Sequence, residues 1–484
     1  MSTPRRFTSA PGFAGIAMAA LLAGCATGPD YKRPDVALPA AYPGTAQTAA
    51  PAEEQTRLAA DWWTLYGDTI LDDLVDATLH NNTDLRKAVA RVDEAQAVLD
   101  QASATLFPEI DLGASSSRSR LSKLNATPIF SSQPVISTSN RLALSTTFEL
   151  DFWGKLRRAS ESARAQVLST RYARDVTALA LVGTTAQSYF TLRSLDAQIA
   201  VARDTLTARD EALAVIKSRA AGGLASELEL NQAQGSRADA ALQLRELQRQ
   251  RALVQHQLGV LTGNLALRVA PGDAMNLPVP APPPVGLPST LVERRPDVRQ
   301  AEQALIAANA QIGVDKATQF PTFSLTGNFG GQSKDLSDVL KAGARIWSLG
   351  LSGVLPVLDA GKYAARTREA EAVQRQALAD YQKSVETAFR DVADALTNVH
   401  ESGEASADLR VKVEAARNAL RLSQIRYKAG YSAYLEVLDA QRTANAAELA
   451  LVQNRQAQLM YSVDLMKALG GGWSPDNDAP MAQR

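Results

Sequence analysis

From Arg426 to Gln441 the chain reads RYKAGYSAYLEVLDAQ, and 207 residues earlier, from Arg219 to Gln234, it reads RAAGGLASELELNQAQ. Arg219 matches Arg426, Gly223 matches Gly430, Leu228-Glu229 matches Leu435-Glu436, and Ala233-Gln234 matches Ala440-Gln441. Each phrase separates two proline-free runs. Glycine supplies the left-handed residue that closes a helix C-terminus, so Gly222, Gly223 and Gly430 mark the turns of two helical hairpins. The runs they join are long. Residues 155–219 contain no proline and a single glycine, Gly183, and as one helix would extend ~95 Å at ~1.5 Å per residue. A return run reaches residue 262, and the second half repeats the pair at 362–428 and 432–469. Within it Leu378, Tyr381, Val385, Phe389, Val392, Leu396 and Val399 recur mostly at alternating three- and four-residue steps, a heptad-like seam.

The duplication extends outward from the hairpins. Gly154-Lys155 matches Gly361-Lys362 at the same offset, whereas Phe107-Pro108 matches Phe320-Pro321 at an offset of 213, as do Asp84 and Arg86 with Asp297 and Arg299. The change places a loop six residues longer in the first half. A tandem repeat covers most of the chain. Helical patterns run over 69–106 and 297–319, and each Phe-Pro ends its helix, because the residue before proline is pushed out of the α region. The period then changes to two: Phe323, Leu325, Gly327 and Phe329 alternate with polar residues, as do Leu142, Leu144, Thr146, Phe148 and Leu150, and Trp347, Leu349, Leu351 and Leu355. Ile110, Leu112 and Ala114 form the weakest of four strands. Four strands cannot close a barrel, and an open sheet leaves two unpaired edges. The sheet either packs beneath helices in a soluble protein or closes by association, with 8, 12 or 16 strands from two, three or four copies. Periodicity does not choose among these.

The expected organisation is a signal peptide at 1–24 and a lipidated extended arm at 25–60. A first repeat spans 61–270, with a β-hairpin at about 108–153 and a helical hairpin at 155–262. A proline-rich crossing segment occupies 271–290, with seven prolines from Pro271 to Pro288 that preclude helix. The second repeat spans 291–472, with a β-hairpin at about 321–358 and a helical hairpin at 362–469, and a tail follows at 473–484. The signal peptide rests on Arg5 and Arg6 followed by GFAGIAMAALLAGC, which is too short to span a membrane as a helix. Its end, Leu22 to Cys25, holds the only cysteine. Two readings of that cysteine stand: plain secretion with a free thiol, or a lipid attachment site.

Bulk properties exclude several classes. The 51 basic and 51 acidic residues cancel, leaving no basic surplus for nucleic acid. His80, His256 and His400 lie far apart, so no metal set is expected. No cofactor or catalytic motif stands out, and no enzyme activity is expected. No apolar run of 18 residues follows the leader, which argues against a spanning helix but not against a β-barrel.

With these landmarks in order, the chain resembles the TolC-like outer-membrane efflux proteins, in the lipoprotein branch serving multidrug systems of the resistance-nodulation-division type. The resemblance is carried by GCATGPDYKRP at 24–34, DWWTLYGDTILDDLVDATLHNNTDL at 61–85, RRPDVRQAE at 294–302, the two Phe-Pro pairs, RYKAGYSAYLEVLDAQ, and ALGGGW at 468–473. LAGC resembles the bacterial lipobox, which implies that Cys25 becomes an acylated N-terminus bearing palmitate. Ala26 after it favours sorting to the outer membrane. The implied fold is mixed and mainly α: a duplicated protomer with four β-strands and long helical hairpins. Its homotrimer would form a 12-stranded membrane β-barrel continuous with a 12-helix periplasmic α-barrel. The implied partners are outer-membrane lipid, a periplasmic adaptor and an inner-membrane efflux pump, and the implied function is a passive exit duct. A type I secretion duct shares the fold, but the lipobox and RRPD context disfavour it. A non-conducting structural lipoprotein of the periplasm would not need the four strands.

The resemblance also implies that the hairpin turns form a closing periplasmic tip. Family positions that narrow the channel fall on Leu435, Glu436 and Asp439, and Tyr427 falls on one that helps hold the tip closed. From spacing alone these acids are an ordinary solvated helix face. In a trimer each becomes a ring, where like charges about 6 Å apart repel by about 3 kcal/mol at an effective dielectric near 20. Ser432 stands where some relatives carry a tip-restraining arginine, and packing of Tyr431 and Tyr434 is the expected substitute. Asp439 corresponds to Gln232 in the first hairpin, so the two copies are not equivalent.

Overall fold

A computed structural model describes residues 27–42, 58–122, 135–283 and 294–473. The expected signal peptide, Cys25, part of the arm, part of the crossing segment and nearly all of the tail lie outside these residues. The elements are α1 (Thr69–Asn81), α2 (Thr83–Ala104), β1 (Glu109–Arg120), β2 (Ile136–Leu150), α3 (Lys155–Ala221) and α4 (Glu227–Leu261), then α5 (Pro296–Ala317), β3 (Thr322–Ser333), β4 (Arg345–Val354), α6 (Lys362–Lys428) and α7 (Tyr434–Ala468). The duplication fixes helix lengths to the residue: α3 and α6 each have 67 residues, α4 and α7 each have 35. Every boundary of these four obeys the 207-residue offset.

The chain falls into two compact units. The first comprises the described parts of Met1–Pro34, Val92–Ser169 and Ala301–Tyr381. Its centre is an antiparallel sheet in the order β1-β2-β3-β4, so the two repeats meet at the β2–β3 pairing. Leu112, Leu144, Phe329 and Trp347 stand in one row across all four strands, and all are exposed, Leu144 at 45% and Trp347 at 76%. The adjacent row on the opposite face is polar: Asp111, Ser145, Asn328 and Ser348. In water this arrangement would be costly; it is the alternation of a strand with lipid on its apolar side. Leu355, read from sequence as part of the fourth strand, lies just past its end. The repeats are also joined where the strands end. Trp153 stacks on Phe320 at 4.9 Å and its indole donates to the Pro321 carbonyl at 2.7 Å.

Residues 27–33 of the arm are strapped to this unit. Thr27 donates its backbone N–H to the Trp153 carbonyl at 2.9 Å, and Arg33 holds Glu302 in a two-pronged pair at 2.6 and 3.0 Å. Gly28, at φ +95°, sits so close to Gly313 that a Cβ would stand 2.5 Å from the Gly313 Cα. The GPDYKRP motif thus needs its glycine for contact as well as for conformation.

The second unit comprises the described parts of Asp35–Arg91, Thr170–Gln300 and Gln382–Arg484. Its core gathers Trp62, Tyr66, Leu71, Tyr189, Phe190, Leu258 and Leu459, each no more than 1% exposed. The stretch read from sequence as a single helix over 69–106 is two helices. Asn82 breaks it: its side-chain oxygen accepts the N–H groups of Asp84 and Leu85, capping α2, while its amide donates to the Leu261 carbonyl at 2.9 Å. In the part of α6 that belongs to this unit the buried seam is Val385, Ala388, Val392 and Ala395. Two of the large residues expected there are displaced by small neighbours, and Phe389 instead stacks on Tyr42 at 5.0 Å.

The RRPD motif resolves into a clasp in this unit. Arg295 is 8% exposed. Its guanidinium donates to Asp297 at 3.0 and 2.7 Å, to Asp391 of α6 at 3.2 Å, and to the Ala468 carbonyl at the end of α7 at 3.3 Å. Burial pulls its pKa down, but the bond and charge of Asp297 more than offset this, so the net shift is upward.

Candidate functional site: the two hairpin turns

Both turns close by the same motif. Leu224 N–H returns to the Arg219 carbonyl at 2.8 Å and Tyr431 N–H to the Arg426 carbonyl at 2.9 Å, around Gly223 at φ +71° and Gly430 at φ +79°. This is the six-to-one closure of a Schellman C-cap, and any residue with a Cβ would be strained there. Gly222 differs from the expectation: its φ is not positive, and a residue with a side chain would fit its conformation.

Beyond the glycines the copies diverge. In the first hairpin Ser226 caps α4, accepting the Glu229 N–H at 3.2 Å, while the Glu229 carboxylate accepts the Ser226 N–H at 3.2 Å. This reciprocal capping box uses Glu229 structurally. In the second hairpin the N-cap of α7 is Ala433, which has no side chain to donate or accept. Glu436, the counterpart of Glu229, is therefore released from capping and faces Arg426 at 4.0 Å, with both side chains more than half exposed. A pair so exposed contributes little. The difference was readable as Ser-x-x-Glu at 226–229 against Ala-x-x-Glu at 433–436, a signal the repeat comparison alone passes over. Ala433→Ser is expected to complete the box and stabilise the α7 start by about 0.5–2 kcal/mol, read as slower amide exchange over residues 434–437; unchanged exchange would contradict the assignment.

Leu435, Glu436 and Asp439 lie together on the exposed face of α7, Leu435 at 57% exposure. The buried face of the same turn carries Tyr434, Val437 and Leu438, which pack with Ile216 of α3 and Ala233 of α4. Tyr427 is half-buried beside Tyr434, ring centroids 5.4 Å apart, and the Arg219 guanidinium lies 5.2 Å over its ring. Burial raises the Tyr427 pKa, Glu229 adds to this, and Arg219 opposes it. So the repeated arginines do different work: Arg219 holds a tyrosine of the other hairpin, Arg426 faces an acid of its own. The expected Tyr431–Tyr434 packing is corrected in part. Tyr434 is buried, but Tyr431 is 80% exposed, and Tyr427 takes its place against Tyr434.

The described residues include no group of acids, histidines or cysteines placed to hold a metal ion, and no helix long and apolar enough to cross a membrane. A duplicated chain whose sheet exposes an apolar face, and whose four long helices fold into two hairpins, fits one protomer of a barrel closed by association. The comparisons agree. The outer membrane efflux protein profile matches residues 74–264 and 287–471. The chain is 34% identical over 480 residues to the solvent efflux pump outer membrane protein SrpC of Pseudomonas putida, covering 97% of this chain and 99% of that one. It is 33% identical over 470 residues to the outer membrane protein OprJ of Pseudomonas aeruginosa, with 96% of each covered. The solved outer-membrane channel OprN superposes with a TM-score of 0.85 at 31% identity, over 93% of this chain and all of that one. The protein belongs to the outer membrane efflux protein family: it is an outer-membrane efflux channel of the trimeric β-barrel and α-barrel architecture, and not an enzyme.

Proposed function

We propose that the protein is the passive exit duct of a tripartite efflux system, taking small molecules from an inner-membrane pump through a periplasmic adaptor. Relatives named for solvent and toluene efflux point to apolar compounds as its cargo. Cys25 carries the lipid anchor, and the strapped residues 27–33 set where that anchor meets the body. The gate is iris-like and lies at the hairpin turns, with Leu435, Glu436 and Asp439 of three protomers lining its narrowest part and Tyr427 bracing it. The observation that carries this reading is the division of labour within one helical turn: α7 buries Tyr434, Val437 and Leu438 and leaves Leu435, Glu436 and Asp439 bare. Exposed acids in a ring would favour cations in passage and bind divalent ions.

The constriction is tested by cysteine substitution. Asp439→Cys is expected to form disulfide-linked dimers on mild oxidation and to stop efflux until reductant is added. Gln232→Cys, at the matching place in the first hairpin, should do neither. Crosslinking from both positions, or from neither, removes Asp439 from the constriction.

A further inference from the structure

Where α3 packs against α7, polar side chains pair in steps. Gln187 Nε2 donates to Asp464 at 2.8 Å, Gln456 Nε2 to Thr191 Oγ1 at 3.1 Å, and Thr205 Oγ1 to Asn445 Oδ1 at 3.2 Å. Numbers rise along α3 as they fall along α7, so the helices are antiparallel. One turn beyond Thr205 and Asn445, the helical period brings Arg209 opposite Gln441. Two turns further on, Ile216 meets Tyr434 in the apolar cluster at the hairpin ends.

The Arg209 step is unlike the others. Arg209 is 6% exposed, its Nη1 is fully buried, and that nitrogen has no hydrogen-bond partner. The Gln441 Oε1 is also buried and also without a partner. Arg209 forms no ion pair with any described carboxylate. The charged and titratable groups around it are Arg442 and Tyr434 on α7 and Asp239 on α4, and Asp239 is exposed. A guanidinium stays charged even when buried, and an uncompensated buried charge is costly. Water between Arg209 and Gln441 would satisfy hydrogen bonds but leave the charge. An anion balances the charge, and the Gln441 amide, turned about its last bond, presents Nε2 as a second donor. The Arg209 Nη1 and the Gln441 Oε1 are both sealed from solvent, so an ion reaching them would have to be small and free.

We propose that Arg209 and Gln441 bind a small monovalent anion, chloride or a like-sized halide, which ties the second hairpin to the first one rung short of their turns. Its effect on the gate rests on the function proposed above, whereas the site itself is read without conductance. Two measurements on the purified trimer test it. Crystals grown in bromide should give an anomalous peak within hydrogen-bond distance of the Arg209 Nη1. At fixed ionic strength, replacing gluconate by chloride should raise the unfolding temperature saturably. Gln441→Glu, which supplies an internal carboxylate, should fold and lose that chloride dependence, as should Arg209→Gln. No peak at Arg209, no chloride-dependent shift, or a shift that persists in Gln441→Glu would overturn the site.

Discussion

Arg295→Met is expected to be the most damaging single substitution outside the apolar core. Removing one partner of a buried ion pair costs about 3–5 kcal/mol, because the acids it leaves behind stay desolvated. Here the loss touches three elements at once: the Asp297 carboxylate at the start of α5, Asp391 on α6, and the carbonyl of Ala468 at the end of α7. Asp297 and Asp391 are each about one-third exposed, so water recovers part of the cost for them, but not for the carbonyl at the helix end. The expected outcome is a fall in unfolding temperature of the detergent-purified protein far larger than that of Asp297→Asn, which leaves Asp391 and the carbonyl paired. Equal shifts would mean that the clasp is only the Arg295–Asp297 pair.

Ile216→Ala is expected to loosen the second hairpin without unfolding the protein. Ile216 is 1% exposed and is the α3 side chain buried among Tyr434, Val437 and Leu438. Truncating a buried isoleucine to alanine costs about 2–5 kcal/mol. At the end of a hairpin this cost appears as local opening. Amide exchange across residues 434–438 should quicken at least about 30-fold, since 1.36 kcal/mol is a factor of ten, while exchange in the core around Tyr66 and Phe190 stays as it was. Uniform quickening would show that Ile216 supports the whole unit rather than the turn.

Much of this architecture is legible in the sequence because its signals are local. Phe-Pro and the αL glycines act on their own neighbours, and so the hairpin lengths and the 207-residue repeat are written plainly. Alternation at Leu142–Leu150 and Phe323–Phe329 shows strands, because strand side chains alternate whatever surrounds them. The Asn82 break was hidden because Asn82 acts through its own side chain, with no proline or glycine to announce it. The Arg219–Tyr427 contact and the unpaired Arg209 were hidden for a different reason. Each depends on two hairpins 207 residues apart coming together, and no periodicity within one helix reports that. The clasp at Arg295 was visible as a motif, yet its three partners lie on separate elements.

The two copies of the opening phrase are one fold instruction with two uses. Gly223 and Gly430 turn the chain alike. Ser226 then fixes the first hairpin with Glu229 as part of the cap, whereas Ala433 leaves the second uncapped and its Glu436 exposed beside Leu435 and Asp439. The central claim is that the second hairpin carries the constriction. The most direct measurement is single-channel conductance in planar bilayers of two paired variants, Leu435→Ala with Asp439→Ala and Leu228→Ala with Gln232→Ala. The first pair should raise conductance and weaken block by divalent cations, and the second should leave both as in the parent. Equal effects from the two pairs, or none from the first, would contradict the assignment.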